Sequence, residues 1–129
     1  MPEAEHVQVS TTTDSSEAAE ALAGSAVQAR VAACGQVVGP IRSVYWWDGS
    51  VEQQPEWLVL FKTTADRSAA LVDHVRANHS YDVPEIIVMP IVGGNPAYLG
   101  WVTAETRTEA ETRTEAETST EAETSTETI

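Results

Sequence analysis

The strongest turn signal of the chain lies in the stretch Val44-Tyr45-Trp46-Trp47-Asp48-Gly49. An Asp-Gly pair between two β-forming runs is typical of a tight hairpin, because both residues tolerate the positive φ angles that such turns need. The preceding run, 31–47, is interrupted by Gly39-Pro40, which predicts a break or bulge. The run after the turn, 51–64, predicts the returning strand. A long antiparallel hairpin therefore lies at the centre of the predicted fold.

Both faces of this hairpin are apolar. Large apolar side chains alternate across both strands: Val44, Tyr45, Trp46 and Trp47 before the turn, and Trp57, Leu58, Val59, Leu60 and Phe61 after it. A sheet covered by helices on one face only would normally alternate apolar and polar residues. The surplus apolar surface predicts a second subunit as its cover. Coverage of both faces within the chain is the alternative, although few residues remain for it.

The segment before the hairpin predicts a strand followed by a helix. Residues 6–12 alternate apolar and polar side chains, as a half-buried strand does. Asp14 with Glu17 three residues later resembles a capping box and predicts the start of a helix. Four residues form the expected apolar stripe of this helix: Ala18, Leu22, Ala26 and Ala29.

The segment after the hairpin predicts a second helix and a further strand. We expect Asp66 to cap this helix, and we expect four residues to form its inner face: Ser68, Leu71, Val72 and Val75. Residues 85–92 predict a strand and 98–102 a short final element. The order strand, helix, strand, strand, helix, strand predicts an α+β, ferredoxin-like βαββαβ sandwich with both helices on one face. This domain is expected to span 6–103.

The remaining residues, 104–129, contain a Thr/Glu-rich hexad repeated nearly four times. A period of six produces no apolar helical stripe, and the segment has no large apolar residue before Ile129. Burial cannot offset the entropy of ordering such a segment, so we expect a disordered acidic tail. Deletion of 106–129 is expected to leave the melting temperature largely unchanged.

The charge balance argues against two classes of partner. The formal net charge is −13, of which 106–129 carry −5. Such a chain is repelled by nucleic acids and by anionic membrane surfaces. The longest apolar run, near 86–92, is broken by Pro90 and is too short to span a bilayer. The single cysteine, Cys34, predicts a reducing, cytoplasmic location and is itself expected to be a small buried apolar residue.

The densest polar cluster is 78–85, Asn-His-Ser-Tyr-Asp-Val-Pro-Glu. His79 and Glu85 are plausible ligands for zinc, copper or nickel. A structured turn, in which Pro84 fixes the backbone and Tyr81 packs, is the alternative. The sequence contains no phosphate-binding Gly-rich loop, HExxH, GxSxG or cysteine pair with zinc spacing.

Five segments taken in order resemble CutA, the divalent-cation tolerance family. They are Ala32-Ala33-Cys34, Gly39 to Gly49, Phe61-Lys62-Thr63-Thr64, His79 to Ile87, and Tyr98-Leu99-Gly100-Trp101. The resemblance implies a ferredoxin-like fold in a homotrimer, with the hairpin reaching into neighbouring subunits. It also implies a role in tolerance of copper and other divalent cations, with no cofactor required and no established catalytic activity. The tail has no counterpart in this pattern.

The proposed copper ligands of the family are only partly retained. By resemblance, these ligands correspond to Ser10, Asn78 and Glu85 in this chain. The hydroxyl of Ser10 stands in place of a thiolate, and the amide of Asn78 in place of an imidazole. Both are poor copper ligands. The resemblance therefore implies at most a weak site for copper or zinc that uses His79 and Glu85.

Two other functions compete with the CutA interpretation. A signalling module resembling the PII nucleotide sensors shares the topology, but it needs basic residues and a long mobile loop. An enzyme could use His79, Tyr81 and Glu85 as acid and base, but no nucleophile–base pair is recognisable. We therefore predict a non-enzymatic, homotrimeric cation-tolerance protein.

Overall fold

The structure, a computed structural model, describes residues 4–108 and residue 111. The elements follow in chain order: β1 His6–Thr13, α1 Ser16–Gln28, β2 Cys34–Trp47, β3 Ser50–Thr64, a 3-10 turn Ala65–Arg67, α2 Ser68–Asn78, β4 Ile86–Ile91 and α3 Pro96–Glu105. The predicted α+β class and the order of the first six main elements are confirmed.

The four strands form one antiparallel sheet in the order β2-β3-β1-β4. In the two central strands Val9 lies opposite Phe61, and both are fully buried. Helices α1 and α2 cover this face, where Leu22 and Leu71 join the core. The sheet therefore has one face closed by helices, as the sequence predicted.

The hairpin has the predicted turn and the predicted bulge. Asp48 and Gly49 take φ angles of 50° and 84°, the two successive positive values of a tight hairpin turn. The pairing between β2 and β3 shifts register between Val38 and Ile41, around Gly39-Pro40. A Cβ atom on Gly39 would lie 2.5 Å from Cδ1 of Trp57, so the strand needs glycine there.

The start of α1 differs from the prediction. Ser15, not Asp14, is the N-cap, because its side chain accepts a 3.0 Å hydrogen bond from the Ala18 amide. The residues that α1 buries are Ala19, Leu22, Ala23 and Ala26. The expected stripe was therefore right at Leu22 and Ala26 and wrong at Ala29, which lies beyond the end of the helix and is exposed.

The predicted cap of α2 is wrong. Arg67 occupies the N-cap position without a side-chain bond, because a 3-10 turn intervenes between β3 and the helix. Asp66 lies in that turn, where it accepts a 2.5 Å hydrogen bond from the Thr64 hydroxyl. Leu71 and Val75 are buried as expected.

The short element expected at 98–102 is a ten-residue helix, α3, capped by Asn95. It packs across the second face of the sheet: His6 Nε2 lies 2.9 Å from Thr103 Oγ1, and Cys34 Sγ lies 3.4 Å from Tyr98 Oη. Cys34 is therefore half-buried rather than buried. The far end of this face stays open, where Val38, Ile87 and Met89 are exposed. The chain thus supplies part of the second cover itself.

Helix α3 crosses the expected domain boundary between 103 and 104. Thr106 is fully buried, and its hydroxyl donates to the Val102 carbonyl at 3.0 Å. The Arg67 guanidinium donates to the Thr106 carbonyl at 2.8 Å and pairs with Glu111. Residues 106 and 111 of the first hexad therefore contact the domain. The predicted disorder concerns mainly residues 109, 110 and 112–129, which lie outside the described residues.

Among the described residues, no helix is both long and apolar enough to cross a bilayer.

Candidate functional site

An open cavity of about 670 Å³ lies between the 79–85 loop and the long hairpin. Its wall contains three aromatic residues, Tyr45, Trp47 and Tyr81, and three acidic residues, Glu56, Asp82 and Glu85. Thr12, Ser43, Val44 and Val83 complete it. The cavity is of a size that small ligands occupy in proteins, and its charge favours a cation.

The hairpin positions its part of the wall through strand geometry. Tyr45 and Trp47 are two residues apart on β2, so their side chains lie on the same face. They lie opposite Glu52 and Ser50 of β3. The bulge at Gly39-Pro40 shifts the register before this region, and Glu56 lies opposite Ile41 directly after the shift.

His79 holds the 79–85 loop against the sheet. Its Nε2 lies 2.8 Å from the Thr12 carbonyl, and its Nδ1 accepts a 3.1 Å hydrogen bond from the Tyr81 amide. The carbonyl can only accept and the amide can only donate, so the proton belongs on Nε2. Both ring nitrogens are therefore engaged, and a metal ion could bind His79 only by replacing one of these bonds.

Tyr81 connects the loop to the hairpin. Its hydroxyl donates a 2.8 Å hydrogen bond to Glu56 Oε2, and its ring lies 4.8 Å from the His79 ring. Burial, together with this bond and the charge of Glu56, raises the pKa of the Tyr81 phenol well above its usual range. Tyr81 therefore stays protonated and acts as a fixed donor that orients the Glu56 carboxylate.

Glu85 is the predicted ligand that the structure brings to the cavity. Its side chain is exposed at the wall, while its carbonyl accepts a 2.6 Å hydrogen bond from the Thr11 hydroxyl. Neither Ser10 nor Asn78 lines the cavity: Ser10 pairs with Leu60 within the sheet, and Asn78 donates to the His74 carbonyl. In residues 4–108 and 111, no three His, Cys, Asp or Glu side chains converge closely enough to hold a metal ion.

Sequence reasoning missed Glu56 and the aromatic pair as parts of this site. Glu56 stands directly before Trp57, in the strand that follows the hairpin. The signal in the sequence that could have indicated Glu56 is a charged residue directly before large apolar ones, Trp57 and Leu58. The sequence predicts an interface at the hairpin aromatics, because both faces of the hairpin are apolar. Their closeness to the 79–85 loop depends on tertiary structure.

Comparison with known proteins identifies the family. The family described as CutA1 divalent ion tolerance protein matches residues 7–105. The chain belongs to the CutA1 family. This confirms the resemblance found in the sequence, and the CutA1 match ends at the last residue of α3.

Two CutA relatives and one solved structure illustrate the similarity. The chain is 46% identical over 101 residues to Protein CutA 1, chloroplastic, of Oryza sativa, and covers 57% of that protein. It is 41% identical over 95 residues to the divalent-cation tolerance protein CutA of Thermus thermophilus, and covers 92% of it. These stretches are 78% and 74% of the present chain. The crystal structure of CutA1 from Oryza sativa matches with a TM-score of 0.78 and 45% identity, over 81% of this chain and 96% of that one.

The present chain spans little more than half of the plant relatives. The coverage is 57% for the rice protein and 56% for a chloroplastic CutA of Arabidopsis thaliana. The Thermus thermophilus relative is named as a divalent-cation tolerance protein and not as an enzyme. The CutA1 assignment does not favour the PII-like alternative.

Proposed function

We propose that this protein acts in divalent-cation tolerance by binding divalent cations weakly, without catalysis. The observation that carries the proposal is the cavity wall, where Glu56, Asp82 and Glu85 face one open space. Carboxylate oxygens are ligands for divalent cations, and the acidic chain attracts cations at long range.

Glu85 is the direct ligand in this proposal, and copper and zinc are the cations. His79 belongs to the site as the residue that holds the loop, and it ligates a metal only where it releases Tyr81 or Thr12. Ser10 and Asn78 lie away from the cavity wall. An affinity in the high-micromolar to millimolar range, roughly −4 to −6 kcal/mol, follows from so few ligands.

The test is a calorimetric titration of the full-length protein with copper and with zinc. Glu85→Gln and His79→Ala are compared with Glu17→Gln, a matched control on the exposed start of α1. We expect Glu85→Gln to weaken binding at least threefold and Glu17→Gln to leave it unchanged. Absence of binding below about 10 mM, roughly −3 kcal/mol, would contradict the proposal.

The absence of catalysis is supported by the state of two of the three acid–base candidates that the sequence suggested, His79, Tyr81 and Glu85. The Nδ1 lone pair of His79 is used by the Tyr81 amide. Tyr81 keeps its proton because its pKa is raised. The structure therefore engages His79 and Tyr81 in holding the loop, which argues against their use as a general base and a general acid.

Assembly as a homotrimer is part of the same proposal. The hairpin leaves Trp46 74% exposed, and Val44 and Val51 lie beside it on the solvent side. Such a patch is typical of an interface. Three copies of 13.9 kDa give about 42 kDa, which light scattering after size-exclusion chromatography measures directly. A monomer mass would refute this part.

We propose the cytoplasm as the compartment, because the chain has a single cysteine and no disulfide partner for it. Cell fractionation with an antibody against the chain tests this. Recovery in an organelle or in the periplasm would contradict it.

A further inference from the structure

Helix α3 packs more closely against the second sheet face at its C-terminal half than at its N-terminal half. Of its ten residues, all of which the structure describes, Val102 is the one that is buried. Residues 96–98 and 100 are exposed. Burial of apolar side chains is what normally fixes a helix to a sheet, and a segment with little of it opens at low free energy. Contacts other than burial must therefore hold α3 in place.

Two guanidinium groups bind the carbonyl groups at the end of α3. Arg30 Nη1 donates to the Glu105 carbonyl at 3.1 Å, and Arg67 Nε donates to the Thr106 carbonyl at 2.8 Å. The last carbonyls of a helix have no partner within it, so such donors satisfy them. Arg30 also pairs with the Glu105 carboxylate at 2.8 Å. We call these contacts of Arg30 and Arg67 with residues 105 and 106 the latch.

Arg30 makes its part of the latch from an unusual backbone conformation. Its φ angle is 64°, its amide donates to the Val27 carbonyl, and the next amide donates to the Ala26 carbonyl. Glycine is the usual residue at this position after a helix, because a Cβ atom disfavours the conformation. The two bonds from the Arg30 side chain to Glu105 act against this disadvantage. They join the end of α1 to the end of α3.

The latch is accessible to dissolved salt. The side chains of Arg30 and Glu105 are 50% and 43% exposed. The distance over which exposed charges interact falls from about 30 Å at 0.01 M salt to about 3 Å at 1 M. Rising ionic strength therefore weakens the Arg30–Glu105 pair, whereas it does not weaken the burial of Val102.

The thiol of Cys34 lies beside the N-terminal half of α3. It is half-buried, and its Sγ lies 3.4 Å from the Tyr98 hydroxyl. Strand β2 runs from Cys34 to Trp47, so Cys34 and the hairpin turn are at opposite ends of it, roughly 40 Å apart along the strand. The surroundings of Cys34 are therefore distant from the hairpin tip that we propose as a subunit interface.

We propose that α3 is a movable cover over the Cys34 thiol and that the latch sets, through ionic strength, how often this cover opens. In the closed state Tyr98 shields the thiol. When the latch is released, Val102 and the contact between His6 and Thr103 remain to hold the helix, and α3 leaves the sheet more often. The proposal does not depend on cation binding at the 79–85 loop.

The experiment is alkylation of the full-length protein by iodoacetamide, an uncharged reagent, at 0.02 M and at 1 M NaCl, with mass spectrometry as the readout. Cys34 is the single cysteine, so the modified fraction reports this thiol alone. The rate for 2-mercaptoethanol corrects for any effect of salt on the reagent. We expect Arg30→Gln to react about two- to fivefold faster than the parent protein at 0.02 M and at the same rate at 1 M.

Two further variants separate the latch from a general loss of stability. Arg76→Gln removes another exposed arginine, which pairs with Asp73 on its own helix, and its Cys34 should react at the rate of the parent protein. Arg30→Gly removes the latch contact but suits the backbone at this position. Its Cys34 should react as fast as that of Arg30→Gln, although its melting temperature should be no lower.

Four outcomes would overturn the proposal. Arg30→Gln could react no faster than the parent protein at 0.02 M NaCl, or its excess rate could persist at 1 M. Arg76→Gln could accelerate the reaction as much as Arg30→Gln does. Finally, Cys34 could stay unreactive at both salt concentrations while reacting in urea, which would mean that a second subunit and not α3 covers it.

Discussion

Arg107 and Asp66 form a two-point ion pair that ties the start of the Thr/Glu repeat to the turn before α2. Arg107 Nη1 lies 3.2 Å from one carboxylate oxygen of Asp66, and Nη2 lies 3.3 Å from the other. Arg67, which follows Asp66 in the sequence, donates a hydrogen bond to the Thr106 carbonyl. Residues 106 and 107 are therefore part of the folded domain, although they belong to the repeat by sequence.

Asp66→Asn should destabilise the protein at neutral pH and much less in acid. The hydrogen bond from Thr64, and then Arg107, lower the pKa of Asp66 below its usual value of 3.8. Because the folded-state pKa is the lower one, the contribution is present above pH 3.8 and is lost as the pH falls below it. We expect a loss of at most about 1 kcal/mol at pH 7, since the side chain is 65% exposed.

Urea unfolding of the unmodified protein and of Asp66→Asn, at pH 7 and at pH 3, measures this loss of stability. Asp73→Asn serves as the control, because among residues 4–108 and 111 Asp73 pairs only with the exposed Arg76 on its own helix. A difference between Asp66→Asn and the unmodified protein that stayed constant down to pH 3 would refute the assignment.

Two truncations should differ in stability. Deletion of 112–129 leaves every described contact of the repeat in place, so the melting temperature should change little. Deletion of 106–129 also removes the buried Thr106 and the Arg107–Asp66 pair, and should cost about 1–3 kcal/mol. Calorimetric melting of the two truncated proteins measures this difference in stability. Equal melting temperatures would restore the boundary at 103/104 that the sequence predicted.

His79→Ala should destabilise the 79–85 loop. The substitution leaves the Thr12 carbonyl and the Tyr81 amide without their partners, and we expect a cost of about 1–3 kcal/mol. His79→Gln should recover part of this, because its amide nitrogen can still donate toward Thr12. Hydrogen exchange of the Tyr81 amide reports the effect directly. Unchanged protection in His79→Ala would show that the ring does not hold the loop.

Gly39→Ala should destabilise the hairpin, whereas Gly93→Ala should not. A Cβ at Gly39 would lie 2.5 Å and 2.8 Å from two ring atoms of Trp57, whereas a Cβ at Gly93 meets nothing within 4 Å. We expect about 1–3 kcal/mol for the first and less than about 0.5 kcal/mol for the second. Chemical unfolding of the two variants provides the comparison. Similar unfolding midpoints would mean that Trp57 moves aside freely.

Local signals in the sequence predicted most elements of the fold correctly. Asp48-Gly49 marked the turn, because both residues take positive φ angles there. Gly39-Pro40 marked the bulge, where the register shifts and a Cβ on Gly39 would collide with Trp57. The helix starts were predicted less well. Asp14 and Ser15 are both competent caps for α1, and Ser15 takes that position. Asp66 is a competent cap for α2, but a 3-10 turn places it before the helix.

The sequence by itself determined the family, the alternating pattern of the central strands, and the cluster around His79 and Glu85. Tertiary structure alone decided that α3 crosses the second sheet face, that Thr106 is buried, and that His79 uses both ring nitrogens on backbone groups. It also brought Glu56 and Trp47 to the same cavity as Glu85. The physical reason is distance along the chain: strand and turn preferences act between near neighbours, whereas these contacts join residues that only the pairing of the sheet brings together.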